Sequence, residues 1–394
     1  MEKLGNYILD IAAGPFGSNL KVECFVPKGF PIIDGANLKS YKVTDNITKF
    51  VTEEKARSLH RSIARKNDVV VTISGNVGQI SYIPYNSMYD EYLVSQRQFR
   101  VTFDTSRVYV PFLVYYFHTK EGQHKILSFA NQTGVPALAQ PLKNFRNIDI
   151  ELPDLKTQQK IAQILESIDN KIENNCQIND NLEQQAQAAF NNIIANTTSD
   201  KTVQLSEIAW LNPKRSISKG KVVRSIEMAH LPTTGSFPSG WEMKEYNGGM
   251  KFQNGDTLMA RITPCLENGK VAFVNFLEDD EIAFGSTEYI TMTPKRQFAP
   301  EVLYFLVRNA EFIDFAVKNM NGSSGRQRVS ADTIGTFELP DITLEELHML
   351  ETIAREALTK IKYNSLENMR LAEMRDTLLP KLMSGELKIN EIDC

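Results

Sequence analysis

The residues from which catalysis could be built are sparse in this sequence. Methyl transfer to an adenine amino group calls for an Asn-Pro-Pro-aromatic or Asp-Pro-Pro-aromatic motif; the nearest stretch, NPKR (212–215), lacks the second proline and the aromatic. There is no G-x-x-x-x-G-K-[ST] loop to cradle a triphosphate. EMK (242–244) has the acid-x-lysine shape of a nuclease site without a suitable Pro-Asp upstream, and HTK (118–120) lacks the downstream Asp of a phosphodiesterase-type motif. His60, His118, His124, His230 and His348 show no metal-ligand spacing, and the six-residue step from His118 to His124 takes them off a common helix face. What the chain does hold is donor-rich loops. SSGRQR (323–328) sets Arg326, Gln327 and Arg328 beside a glycine. Arginine can pair bidentately with guanine and glutamine with adenine, and glycine lets a backbone approach closely.

Composition limits the alternatives. A chain of 394 residues is long enough for two or more domains. No apolar run approaches the ~20 residues a membrane helix needs, and MEKLGNYILD lacks a signal-peptide pattern. Cys24, Cys176, Cys265 and Cys394 are scattered without a CxxC pair, which argues against a zinc site or a disulfide framework and for a reducing cytoplasm. The net charge of −4 hides a segregation. Residues 1–150 carry 18 basic and 13 acidic side chains, 151–200 carry 3 and 8, 201–337 carry 16 and 15, and 338–394 carry 7 and 12. Local charge decides where a polyanion docks, so the acidic average does not exclude DNA.

The elements that must position such loops come in two copies. ELPD occurs at 151–154 and again at 338–341, each time before a long helical stretch. FPIIDGANL (30–38) matches VRSIEMAHL (223–231), an apolar strand followed by Asp34 or Glu227. NDVVVTISGNVGQISYI (67–83) matches GDTLMARITPCLENGKVAFV (255–274), with Asp68 and Asp256 at the strand start and Gly78 and Gly269 before a second strand. VSQRQFRVTF (94–103) matches GSTEYITMTP (285–294), and QTGVPALAQ (132–140) matches SSGRQRVSA (323–331). β-Branched runs at 69–73, 79–83, 97–103, 257–262, 270–276 and 287–292 predict strands. Residues 52–68, 110–130 and 299–319 read as helices, so each copy is α+β.

The first long helix is expected from about Thr157 to Asn196, with apolar steps Ile161, Leu165, Ile168, Ile172 and then Leu182, Ala186, Ala189, Ile193. This is a heptad-like seam. Asn175 and Asn179 fill the gap. The second helix repeats the pattern with Leu350, Ala354, Ala357 and Ile361, then Asn364 and Asn368, then Leu371, Leu378 and Leu382. Thr343 and Glu346 form a capping-box pattern, and Pro380 is expected to kink or end the helix. In an antiparallel pair Asn175 and Asn179 face Asn364 and Asn368, and polar residues in such a seam set the register. The pair would act as a rigid spacer related by a pseudo-two-fold axis.

The ELPD–helix junctions, the DVVVTISGNVGQISYI and DTLMARITPCLENGKVAFV loops and the C-terminal LLPKLMSGELKI resemble the specificity subunits of Type I restriction–modification systems, over nearly the whole chain. The resemblance implies an α+β fold of two duplicated target recognition domains, 1–153 and 200–340, separated by an antiparallel coiled coil of a central helix (154–199) and a C-terminal helix (341–394). It implies a non-catalytic subunit that recognises a split, asymmetric site in double-stranded DNA and binds two modification subunits, with no membrane role. Those subunits would hold S-adenosylmethionine and methylate adenine. Where restriction subunits join, two of them would bring ATP, Mg and endonuclease activity. The chain departs from the expected basic character, because its second domain carries only a slight positive excess. The competing reading is a coiled-coil adaptor with two protein-binding domains and no DNA role.

On this reading DNA contacts fall on defined residues. In the first domain Arg57, Arg61 and Arg65 lie at i, i+4 and i+8 of the expected helix, as a phosphate-contacting face or merely a solvated one. Ser74 and Asn76 of the SGN loop, and Gln96 and Arg97 of SQRQ, offer polar groups at turns. In the second, Lys214 and Arg215 come from NPKR, Arg261 and Thr263 from ARITP, Lys270 from the following loop, and Arg326, Gln327 and Arg328 from SSGRQR. If the helices act as a ruler, inserting four residues near Asn175, about one helical turn, changes the spacer between half-sites and leaves their sequences intact. Methylome sequencing that found altered half-sites with unchanged spacing would contradict this.

Overall fold

The computed structural model describes residues 1–131, 136–295, 298–323 and 325–387. Expectations that fall on 132–135 of QTGVPALAQ, on Ser324, on the last two residues of LLPKLMSGELKI and on Cys394 lie outside the described residues. The chain forms two compact units: Met1–Asp169 together with the chain from Ala372, and Asn170–Leu371.

In the first unit the β-branched run 69–71 forms a wholly buried central strand. One sheet has the order Ile8–Ala13, Gln98–Phe103, Val69–Thr72, Ile80–Tyr82. A second has the order Phe25–Val26, Phe50–Val51, Phe30–Ile33, Glu91–Val94, Ile63–Arg65, with Ile33 parallel to Val94. The second unit repeats this order, save that its second sheet has no counterpart of Phe25–Val26 among the described residues. Ala209–Leu211, Tyr289–Pro294, Thr257–Ala260 and Val271–Phe273 make one sheet. Glu242–Glu245, Val222–Ile226, Ala283–Gly285 and Met250–Phe252 make the other, with Ile226 parallel to Gly285. Duplication therefore extends to strand order, direction and register.

The paired acids noted in the sequence have a shared physical role. Asp68 and Asp256 sit buried at equivalent strand starts. Each accepts a hydroxyl from an equivalent threonine, Thr102 at 2.6 Å and Thr293 at 2.5 Å. Each also accepts a backbone N–H, from Arg65 and from Gln253, both at 2.8 Å. Burial pushes both carboxyls above the usual range, against these bonds.

ELPD is explained by how each domain closes. Glu2–Lys3 pairs antiparallel with Asp149–Ile150, and Thr202–Gln204 with Glu338–Pro340. The last strand of each domain thus returns beside its first, and the chain turns directly into a long helix. Asp154 caps the first helix, accepting the Thr157 N–H at 3.0 Å. At the second, Thr343 Oγ1 accepts the Glu346 N–H at 3.2 Å while Glu346 accepts the Thr343 N–H at 2.8 Å, the expected capping box.

The helices run Leu155–Asn196 and Leu344–Ser384. In the first unit Ile161, Ala162, Leu165, Leu379 and Leu382 join the core of the domain. In the second unit Ala186, Phe190, Ile193, Leu350, Ala354, Ala357 and Ile361 do so. Burial falls on Phe190 where Ala189 was expected, and on Leu379 where Leu378 was expected. The second helix continues for a turn past Pro380. Within the second unit the asparagines meet across an antiparallel seam. Asn175 Nδ2 donates to Asn368 Oδ1 at 2.9 Å and to Glu367 at 2.7 Å, and Asn364 Nδ2 donates to Asn179 Oδ1 at 2.8 Å. Asn175 and Asn364 are buried, so they do not simply face solvent.

Acidic residues of the first long helix also fasten the domains. In the first unit Tyr82 and Tyr109 donate to Glu166 at 3.0 and 3.1 Å, and Tyr115 donates to Asp169, which also pairs with Arg375 at 2.8 Å. In the second unit Tyr304, at the position equivalent to Tyr115, donates to Glu183.

Two helix expectations are corrected. Residues 52–68 are a short helix, Glu53–Ser58, then a 3-10 turn, His60–Ser62, then the strand Ile63–Arg65. Ile63 and Ala64 are needed by the sheet, and tertiary pairing overrides the helical pattern. The stretches 110–130 and 299–319 each break in two, because Thr119 and Asn309 cap a new helix by accepting the N–H groups of Gly122 and of Glu311 and Phe312.

In the second unit Asp256 has one further partner, Arg215 Nη2 at 2.8 Å, and the two side chains are 0% and 7% exposed. Removing one member of a buried pair strands the other. Arg215→Ala is therefore expected to cost about 3–5 kcal/mol of stability, read by urea denaturation. A loss under about 1 kcal/mol would contradict the structural role.

Candidate nucleic-acid interface

In the first domain, four of the residues singled out in the sequence converge. Ser74, Asn76, Gln96 and Arg97 line one cleft of about 590 Å³, together with Asp34, Lys49, Thr72, Gln79 and Gln98. Two loops build it, one after the strand Val69–Thr72 and one before the strand Gln98–Phe103. The turn between them is held by Ile73 N–H on the Arg97 carbonyl at 2.7 Å and by Gln98 N–H on Ser95 O at 3.0 Å. Asn76, Gln96 and Arg97 are exposed. Asp34 carries an ion pair to Lys49 at 2.6 Å. Burial would raise the Asp34 carboxyl, but Lys49 and the Ala36 N–H hold it below its ordinary value.

A third loop, missed by the sequence reading, borders this cleft. Gly14 packs so tightly that a Cβ would lie 1.9 Å from the Ser95 carbonyl oxygen, and one on Gly17 would lie 2.7 Å from Gln96 Oε1. The loop GPFGSN (14–19) is thereby pressed on the Ser95–Gln96 turn, with Phe16 left 82% exposed. The signal available in the sequence was an aromatic between two closely spaced glycines.

Arg57, Arg61 and Arg65 do not share a helix face, because the chain changes from helix to strand between them. Arg57 and Arg65 both pair with Glu91, at 2.6 and 3.0 Å, and the Arg61 carbonyl accepts from Arg100 Nε at 3.0 Å. Arg57 lies in the short helix, Arg61 in the 3-10 turn and Arg65 in a strand of the second sheet, and none of the three lines the cleft.

In the second domain the equivalent edge gathers ARITP and SSGRQR. Thr263 N–H donates to the Gln327 carbonyl at 3.0 Å, and Val329 N–H to the Arg261 carbonyl at 3.0 Å. Between them stands Glu288, also missed. Arg328 donates to it through Nε at 2.9 Å and Nη2 at 2.7 Å, and Arg261 through Nε at 3.3 Å. The Arg328 bonds, opposed by burial and aided by Arg261, hold the Glu288 carboxyl below its ordinary value. Arg326 is exposed and makes no ion pair among the described residues. Lys214 is exposed, Lys270 Nζ is engaged with the Met228 carbonyl at 2.5 Å, and Arg215 is spent on Asp256. Arg215 is thus withdrawn from the candidate contacts.

The edge of each domain can donate and accept hydrogen bonds in an arrangement fixed by backbone, as base-edge recognition requires. No helix among the described residues is long and apolar enough to cross a membrane.

The chain has relatives among known proteins. Residues 23–184 match the family model of the Type I restriction modification DNA specificity domain. The chain is 21% identical to the Type I restriction enzyme HindI specificity subunit of Haemophilus influenzae, over 79% of this chain and 84% of that one. It is 23% identical to the Type I restriction enzyme MjaIX specificity subunit of Methanocaldococcus jannaschii, over 87% and 82%. In fold it is similar to the crystal structure of the Type-I restriction-modification system S subunit from M. genitalium, with a TM-score of 0.60 at 15% identity, covering 97% of this chain and 95% of that one. In its duplicated domains, its antiparallel helices and its sequence the chain is similar to the specificity subunits of Type I restriction–modification systems.

Proposed function

We propose that this chain supplies the DNA sequence specificity of a Type I restriction–modification enzyme, each domain reading one half of a split, asymmetric site. The observation that carries this is one strand order presenting different polar chemistry at the same edge. The first domain offers Arg97, Gln96 and Asn76, and the second offers Arg261, Arg326 and Arg328 around Glu288. Two identical edges would read a symmetric site; two different ones read an asymmetric site.

In this reading the chain performs no bond chemistry. It acts in a complex with two modification subunits, which bind S-adenosylmethionine and methylate adenine. Two restriction subunits, where present, add ATP- and Mg-dependent cleavage. Lys214 and Arg326 contact phosphates at the second half-site, and the long helices carry the modification subunits.

The deciding experiment is a long-read methylome of the source cell with and without the gene. Loss of N6-methyladenine at one split, asymmetric motif is the expected result. An unchanged methylome, in a cell expressing both this chain and an active modification partner, would favour a coiled-coil adaptor. A second measurement addresses phosphate contact. Arg326→Ala in the assembled complex is expected to reduce the slope of log K against log salt by about 1. An unchanged slope would remove Arg326 from the interface.

A further inference from the structure

The two reading edges can be superimposed residue by residue through their backbone bonds. The Arg97 carbonyl accepts the Ile73 N–H, and the Glu288 carbonyl accepts the Arg261 N–H. Gln98 faces Thr72, as Tyr289 faces Ala260. Ser74 bridges Ala137, as Ile262 bridges Arg328. Leu138 N–H bonds the Ile73 carbonyl, as Val329 N–H bonds the Arg261 carbonyl. Three positions are therefore equivalent, occupied by Ile73, Arg97 and Ala137 in the first domain and by Arg261, Glu288 and Arg328 in the second.

The exchange is concerted. A single exposed arginine flanked by two apolar residues becomes a glutamate flanked by two arginines, and each trio has the same formal charge of +1. Backbone geometry is kept while donor and acceptor chemistry is inverted at the central position. The first domain folds on the same register without this ion pair. Glu288 does not exhaust the arginines. It engages Nε and Nη2 of Arg328, whose Nη1 leans on the Arg326 carbonyl at 3.3 Å, and it touches Arg261 through Nε alone. Terminal N–H donors remain on both guanidinium groups, and Arg261 and Arg328 stay 32% and 39% exposed.

We propose that this equivalent trio is the base-discriminating element of both domains. Arg97 reads one half-site directly, and Glu288 is a positioning residue that aims Arg261 and Arg328 at the acceptor edge of a guanine in the other. The inference rests on the chain being a DNA-specificity subunit and names where its selectivity resides. Locking a long, flexible side chain before binding lowers the ordering cost and fixes which base edge it can meet.

The test uses the full chain assembled with its own modification subunits, and selection from a pool of double-stranded DNA with both half-sites randomised. Glu288→Gln keeps the side-chain shape and removes the charge. It is expected to lower selectivity about tenfold or more at one or two adjacent positions of a single half-site, leaving the other half-site and the spacer as in the wild type. Arg97→Ala is expected to relax the other half-site only. Glu288→Asp, which keeps the carboxylate, should recover part of the selectivity that glutamine loses. A Gln variant with the wild-type profile would overturn the proposal. So would an even loss across both half-sites, the signature of general destabilisation. If the wild-type complex selected no defined motif, the specificity reading itself would fall, and this inference with it.

Discussion

Each domain depends on one antiparallel pairing between its first and last strands. Glu2–Lys3 with Asp149–Ile150, and Thr202–Gln204 with Glu338–Pro340, bring the two ends of a long segment together. The edge loops ride on paired neighbours of one sheet, and the closure ties together the chain ends that flank that sheet. With it, the intervening sheets are clamped at their base and the chain passes straight into a helix. The repeated ELPD marks that passage. It is needed at both places because the same mechanical problem is solved there.

The helices then do more than connect. Their acidity, which in the sequence suggests only a solvated or partner-binding surface, is partly turned inward. Glu166, Asp169 and Glu183 accept tyrosine hydroxyls from the domain that shares their unit. A carboxylate–phenol bond is directional, so it fixes a domain's rotation about the helix where apolar packing alone would tolerate sliding. The buried asparagine pairs in the second unit have a similar character. Displacing Asn175 by one heptad would set it opposite Ile361 and leave its amide without a partner, at a cost of about 1–3 kcal/mol.

Much of this could be read from the chain before any coordinates. The strands at 69–73 and 257–262, the helices to Asn196 and from Thr343, and the facing asparagines follow from period, caps and repeats. Local pattern failed where tertiary pairing overruled it. Residues 63–65 are helical by spacing yet become a strand because Leu93, Tyr92 and Glu91 are there to pair with. The candidate interface was legible in part for a different reason. Spacing shows which loops are polar, but not which charges already have partners. Arg215 and Arg328 look alike in sequence. One is sealed against Asp256, and the other is held half-open by Glu288. The alignment of VSQRQF with GSTEYI already set Arg97 over Glu288; only the bridging contacts showed why that exchange comes with two others.

Two copies of one topology in a single chain create a hazard during folding, since a strand of one copy can meet the sheet of the other. One strand-to-strand ion pair bears on this. Arg100, 7% exposed in its strand, is neutralised by Asp10 of the neighbouring strand at 2.6 Å. Ala209–Leu211, which occupies that neighbouring place in the other copy, brings Trp210 and no carboxylate. A hybrid sheet would therefore leave Arg100 without the Asp10 carboxylate, and a mispaired strand would lose that bond. Divergence at this edge makes each copy a poorer partner for the other's strand.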